Sequence, residues 1–146
     1  MNIGNLCSRR LITVSTGAPI SEVASLMRDE HVGAVIVTHG SAAARRVVGI
    51  LTDRDIVRAQ LARTADLSSL SVADTMTPDP LVLLEQESVD GAIAHLRARG
   101  VRRAPVVRDD GTPAGVISVD DLLAHLAAKL IGLADIVARQ VQKEAA

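Results

Sequence analysis

Phe, Tyr and Trp are absent from all 146 residues. Any core must therefore be assembled from Val, Leu, Ile, Ala and Met, and a flat ligand must stack on aliphatic side chains rather than on rings. The single cysteine, Cys7, excludes an internal disulfide and has no metal-ligand spacing around it, which is consistent with a reducing compartment. No apolar run approaches the length of a membrane span, so no membrane partner is expected. The N-terminus lacks the basic, apolar and small-residue succession of a secretory signal, and a cytoplasmic location is the expectation. The 16 basic and 17 acidic residues nearly cancel. Without a basic stripe interleaved with aromatics, nucleic acid is not an expected partner either. Lysine is scarce, 14 of the basic residues being Arg, a bias that genome base composition explains as well as phosphate binding does.

What is present is repetition. Shifted by 69 places, Ile3 falls on Val72, Cys7 on Met76, Ser8 on Thr77, Ile20 on Val89, Val32 on Val101 and Val37 on Val106. The offset then drops to 66, because Thr38 to Arg46 is three residues longer than Val107 to Thr112. A length change confined to a polar loop is what a hairpin connection tolerates. Beyond it, Gly49-Ile50-Leu51-Thr52-Asp53-Arg54-Asp55 matches Gly115-Val116-Ile117-Ser118-Val119-Asp120-Asp121. Each copy is a glycine, two aliphatics, a hydroxyl, two variable positions and an aspartate, which reads as a strand ending at a helix N-terminus.

Within each unit the pattern predicts β-α-β-β-α, an α+β fold. A strand near Leu11–Val14 or Leu81–Leu83 leads to a helix with apolar residues at Val23, Ala24 and Met27, or at Ala92, Ile93 and Leu96. Two strands follow, Val32–Val37 with Val47–Leu51 and Arg103–Val107 with Ala114–Ile117, the second pair joined by the turn signal Asp109-Asp110-Gly111. A second helix is expected over Asp53–Ala62 and Asp120–Ala128. The domain division is 3–62, a linker over 63–71, 72–128, and an amphipathic C-terminal helix over 129–146. That last helix carries Leu130, Ile131, Leu133, Ile136, Val137 and Val141, and its apolar face needs cover, with a dimer contact expected. Duplicated units of this kind usually face each other across a pseudo-two-fold.

These residues resemble the paired CBS domain (cystathionine β-synthase motif), or Bateman module. The resemblance rests on GILTDRD and GVISVDD, on HVGAVIV and GVRRAPVV, on the lead-in DTMTPDP and on the doubled unit, and it covers residues 3 to about 127. It implies a stand-alone regulatory module without catalysis that binds an adenosine ligand, AMP, ADP, ATP or S-adenosylmethionine, between the units. By resemblance, the ribose hydroxyls meet Asp55 or Asp121, with Thr52 or Ser118 near the ribose or phosphate. The adenine would lie between Leu81, Val101 and Arg102 on one side and Ile50, Thr52 and Asp55 on the other. In the second cleft, Ile12, Val32 and Gly33 would face Val116, Ser118 and Asp121.

Physical chemistry supports parts of this independently. A carboxylate accepts from vicinal hydroxyls, free amides at a helix N-terminus suit phosphate, and Arg54, Arg102 or Arg103 can add charge-assisted contacts. Asp120 stands where the first copy has Arg54, so the two clefts should be unequal, with the Asp55 cleft the better one for phosphate. Each residue also has a plainer role: Thr52 and Ser118 as N-caps, and Asp55 and Asp121 as first-turn charges. The alternative function is a ligand-free structural or interaction module with degenerate pockets. His31, His39, His95 and His125 are scattered, so no metal site is expected, and no nucleophile motif or Walker-type loop suggests an enzyme.

Overall fold

The computed structural model describes residues 1–63 and 66–145. It is a mixed α+β structure of two units. The first contains β1 (Thr13–Ser15), α1 (Ile20–Glu30), β2 (Ala34–His39), β3 (Arg46–Thr52) and α2 (Asp53–Arg63). A short helix α3 (Val72–Thr75) and strand β4 (Thr77–Pro78) follow, and then the second unit with β5 (Leu83–Leu84), α4 (Val89–Arg99), β6 (Arg103–Val107), β7 (Pro113–Ser118) and α5 (Val119–Glu144). The expected β-α-β-β-α order is thus found twice. Residues 64 and 65 of the linker expected over 63–71, and residue 146 of the tail, lie outside the described residues.

The central strands explain how the units meet. Side chains alternate between the two faces of a strand. Val35 and Val37 of β2 point into a core with Ile20, Val23, Met27 and Leu51. Ile36, on the opposite face, is nonetheless only 1% exposed. In β6 the same holds, with Ala104 and Val106 in the second core beside Leu83, Ala92 and Leu96, while Pro105 on the other face is fully buried. A strand buried on both faces needs cover on both, which is why these strands are continuous apolar runs. Helices cover one face, α1 and α2 in the first unit and α4 and α5 in the second.

The repeat and the packing unit do not coincide at the lead-ins. Ile3 and Cys7 belong to the core of the second unit, and Leu70 and Val72 to the core of the first. Backbone bonds follow the same exchange: Ile3 and Gly4 amides donate to Glu87 and Glu85 carbonyls, and Val72 and Ala73 amides to those of Ala18 and Thr16. The exchange reaches the sheets. Thr77–Pro78 pairs with Ile50 and Gly49 as the fourth strand of the first sheet, and Ser8 pairs with Val116 beside the three-stranded second sheet. The divisions 3–62 and 72–128 therefore describe the duplicated sequence, whereas each compact body is one repeat plus the other's lead-in.

This pairing accounts for the glycine that opens each motif. A Cβ on Gly115 would lie 2.6 Å from the Ser8 carbonyl oxygen and 2.8 Å from Cys7 Sγ. On Gly49 it would strike Met76 Sδ, the end of a flexible side chain. The expected tail helix is found as a continuation: Val119–Glu144 is one helix of 26 residues rather than two segments. Among the described residues no helix is long and apolar enough to cross a membrane.

Two outcomes follow from the packing. Gly115→Ala should lower unfolding free energy by about 1–3 kcal/mol, and Gly49→Ala by less, because Met76 can yield where a backbone carbonyl cannot; urea titration of both variants checks the order. Burial pushes the Cys7 thiol up against the opposing pull of Arg9, so native Cys7 should react with a disulfide reagent at neutral pH far more slowly than the urea-unfolded chain. The unfolded thiol ionises first, so the stability from this group is whole below the ordinary thiol value. It is lost as pH rises through the higher native one.

Candidate functional site

Each motif ends in the same local structure because the same four atoms recur. At the start of α5, Ser118 Oγ accepts from the Asp121 amide at 3.2 Å, while Asp121 Oδ2 accepts from the Ser118 amide at 2.8 Å and its hydroxyl at 2.6 Å. At the start of α2, Thr52 Oγ1 accepts from the Asp55 amide at 3.2 Å, and Asp55 Oδ2 accepts from the Thr52 amide and hydroxyl, both at 2.9 Å. These are capping boxes, a hydroxyl and a carboxylate three residues apart satisfying one another's amides.

The boxes limit what a ligand can use. In both motifs the hydroxyl is already donor to its aspartate, and Oδ2 is filled, which leaves Oδ1 as the oxygen open to a sugar hydroxyl. The amides are engaged as well: Asp53 donates to the Gly33 carbonyl at 3.1 Å and Arg54 to Asp53 Oδ1 at 2.8 Å. The expectation of free amides at this N-terminus is therefore corrected. Gly33 sits beside Thr52 and Asp53 because Ala34 pairs with Thr52 across β2 and β3, and its carbonyl closes the first amide. Phosphate affinity at this junction must come from side chains.

A cavity of about 480 Å³ opens beside Asp55. Its first-unit wall is Gly33, Ile50, Thr52, Asp53, Arg54 and Asp55, and its second-unit wall is Gly100, Val101, Arg102 and Arg103, with Thr77 of β4 at the edge. Of the residues singled out from the sequence, Ile50, Thr52, Arg54, Asp55, Val101 and Arg102 are thus brought together across the unit boundary. Leu81 is not in the wall. It packs on the second core instead, drawn there with Leu83 at the start of β5. Gly33, expected opposite Asp121, lines the Asp55 cavity, for the pairing reason just given. Ile12 and Val32 pack on the first core. Val32 also walls an apolar hollow between α1 and α2 with Met27 and Ile56. Val116 is half-buried in β7, held between Pro105 and Ser8.

Asp53, Thr77 and Gly100 are walls that the motif reading did not single out. Thr77 was legible, since the repeat pairs it with another hydroxyl, Ser8. Gly100 ends α4 in the left-handed conformation, φ 64°, and His31 ends α1 in the same way at φ 54°, so both units turn into their central strand through equivalent corners.

The charges of the cavity are uneven. Arg54, Arg102 and Arg103 stand against Asp53 and Asp55. Among the described residues the Arg54 and Arg103 guanidinium groups have no ion-pair partner, and Arg102 meets only Asp120, at 3.4 Å with both side chains 77% exposed, a contact of little strength. The repeat offsets put Asp120 at the place of Arg54, Gly33 at that of Arg102 and Ala34 at that of Arg103. The pseudo-symmetric position by Asp121 therefore has none of the three arginines. Among the described residues no group of three or more His, Cys, Asp or Glu side chains could hold a metal ion.

Comparison with known proteins matches this architecture. The family model for the CBS domain fits residues 3–62 and again residues 72–128. An uncharacterized protein of Methanopyrus kandleri is 26% identical over 123 residues, covering 84% of this chain and 61% of the relative, so the chain spans about three-fifths of that protein's length. An uncharacterized 17.7 kDa protein of Acidianus ambivalens is 30% identical over 124 residues, covering 85% of this chain and 72% of the relative. Among solved structures, the CBS protein CBSX2 in complex with AMP superposes with a TM-score of 0.71 at 24% identity, covering 88% of this chain and 98% of that one. A CBS domain pair in complex with 5′-methylthioadenosine and S-adenosyl-L-methionine gives 0.74 at 21% identity, covering 88% and 98%. With two matched copies in the duplicated β-α-β-β-α frame, the chain belongs to the CBS domain family as a tandem pair.

Proposed function

We propose that this CBS pair is a regulatory module that binds an adenine nucleotide in the Asp55 cleft and does no chemistry on it. The observation that carries the reading is that three arginines, from both units, line one cavity together with the Asp55 carboxylate. Asp55 Oδ1 accepts from the ribose, Ile50 and Val101 flank the adenine in place of aromatic rings, and Arg54 with Arg102 and Arg103 hold the phosphates. Complexes of related CBS structures with AMP and with S-adenosyl-L-methionine support an adenosine ligand.

Charge ranks the candidates for this cleft. Its cations favour AMP, ADP and ATP over S-adenosylmethionine, whose sulfonium carries positive charge. The Asp121 position, with Asp120 beside it, lacks the phosphate-holding set. The missing arginines, not the capping box that both motifs share, favour a mainly structural role for Ser118 and Asp121. A nucleotide spanning both walls would favour one packing of the units over another, and a partner protein preferring that packing would respond to it. We place the module in the cytoplasm, acting as a homodimer.

Isothermal titration with AMP, ADP, ATP and S-adenosylmethionine should give one nucleotide per chain, with S-adenosylmethionine weakest and nucleotide affinity falling as salt is raised. Absence of heat from every one of the four would reject the reading. Asp55→Asn should weaken nucleotide binding at least tenfold and, through the damaged cap, lower stability by about 1 kcal/mol. Arg54→Ala and Arg102→Ala should each weaken ATP about tenfold or more, in line with roughly 1.5–3 kcal/mol for a hydrogen bond to a charged group. Unchanged ATP affinity in both arginine variants would remove the phosphate assignment.

A further inference from the structure

At the hairpin end of β3, about 20 Å along the strand from the Thr52 capping box, the first unit carries polar groups that the duplicated fold does not need. β1 and β2 run parallel with Thr13 beside Ile36 and Ser15 beside Thr38. Alternation therefore sets Thr13, Ser15 and Thr38 on one face, while Val14 and Val37 enter the first core from the other. At the equivalent places the second unit has Val82, Leu84 and Val107, and Leu84 pairs with Val107 as Ser15 does with Thr38. Three aliphatics there support the same sheet. Thr38 is only 5% exposed, the one buried polar residue among those described, and neither its hydroxyl nor that of Ser15 has a hydrogen-bond partner among them. A hydroxyl placed where valine suffices costs stability unless something bonds to it.

The surroundings of this face complete a site. Thr13, Ser15 and Thr38 line a cavity of about 350 Å³ with His39, Gly40 and Arg45. Arg45 has no ion-pair partner among the described residues; it donates to Thr13 Oγ1 at 3.4 Å, which leaves the Thr13 hydrogen free to donate. The segment that brings Arg45 is three residues longer than its counterpart, and its turn is closed by the Ala44 amide on the Ser41 carbonyl at 3.0 Å. Gly40, at φ 112°, lets the Ala44 carbonyl pass where a Cβ would lie 2.6 Å away. Thr13 and Arg45 are shared with a second cavity of about 380 Å³, walled further by Leu11 and Ala42 and, from the second unit, by Arg108, Thr112 and Pro113.

We propose that this face is a phosphate site distinct from the Asp55 cleft, holding a phosphoryl group as the free ion or at the end of a small metabolite. Three hydroxyls and a guanidinium fork can all donate at once. A tetrahedral dianion offers oxygens in as many directions, whereas a planar carboxylate leaves part of the set unused. The burial of Thr38 puts one of those bonds where water competes least. The organic body of an ester extends past Arg45 into the adjoining cavity, against Leu11, Ala42 and Pro113, where Arg108 meets any further negative charge. Nothing in this assignment rests on the nucleotide reading.

In an isotope-labelled full chain titrated with inorganic phosphate and with glycerol 3-phosphate, the amide resonances of Thr13, Ser15, Thr38 and Gly40 should shift. Tighter binding of the ester assigns an organic phosphate and equal binding the free ion, while acetate at the same concentration should move none of the four. Thr38→Val should bind both probes at least about tenfold more weakly. Its urea midpoint in phosphate-free buffer should be no lower than that of wild type, since Val107 fills the equivalent place. Arg45→Ala should lose binding to a similar degree, whereas Arg54→Ala should leave these shifts unchanged, which separates the site from the Asp55 cleft. Wild-type affinity in either Thr38→Val or Arg45→Ala overturns the proposal. So do acetate binding as tight as that of phosphate, and shifts confined to residues around Asp55.

Discussion

The structure depends on a reciprocal exchange: each unit of the pair completes its core and its sheet with the segment that introduces the other. Ile3 fills the second core and Val72 the first, both with no exposed surface. Neither unit can close its core without the chain of its neighbour, so burial and association are one event rather than two. The glycines of the two motifs are the local condition for that exchange. At Gly115 the entering backbone passes where a Cβ would stand, and a larger residue there would hold Ser8 away from Val116 and prise the lead-in off the sheet.

The clefts are a consequence of the same geometry. The central strands bury both faces, and the Asp55 cavity lies where β3 runs out into the N-terminus of α2. There the backbone of each unit is satisfied by its own capping box, and what is left to face the gap is side chains. Backbone symmetry is therefore high and chemical symmetry low. The offsets that superpose Asp55 on Asp121 also superpose Arg54 on Asp120, and Arg102 and Arg103 on Gly33 and Ala34. Two similar scaffolds thus present junctions of different charge, which separates holding the fold from holding an anion.

Much of this was legible in the sequence, and the reasons differ by element. The repeat carried the element order, because a period-2 run into a hydroxyl and a helical pattern is a local signal written twice. The convergence of Ile50, Thr52, Asp55, Val101 and Arg102 was legible because motif residues sit at strand ends, where position along the chain determines position in space. Leu81 and Gly33 were not, since their placement depends on which neighbour wins them: the second core for Leu81, the β2–β3 register for Gly33. The exchange of lead-ins left no local trace either. Ile3 and Val72 are apolar in both arrangements, and only tertiary pairing decides whose core they enter. For α5, the residues around 128–130 contain neither a glycine cap nor a proline, so nothing in the pattern ended the helix, and the expected division there followed the repeat rather than any break signal.

The engaged helix N-termini bear on how a bound anion could be felt at a distance. A phosphate docked on loose amides would order a frayed helix end, but here those amides are already bonded to Gly33, Asp53 and Thr52, so little local ordering is available. The groups still free to respond are the arginines, and they come from different bodies: Arg54 from the first helix turn of one unit, Arg102 and Arg103 from the strand entry of the other. Drawing them onto one anion pulls on the joint between units rather than on either unit's interior. It also takes Arg102 from Asp120, which lies in the first turn of α5. The fold thus directs ligand charge into the relative placement of its two halves and into the root of its longest helix, the two places where a neighbouring molecule could register the difference.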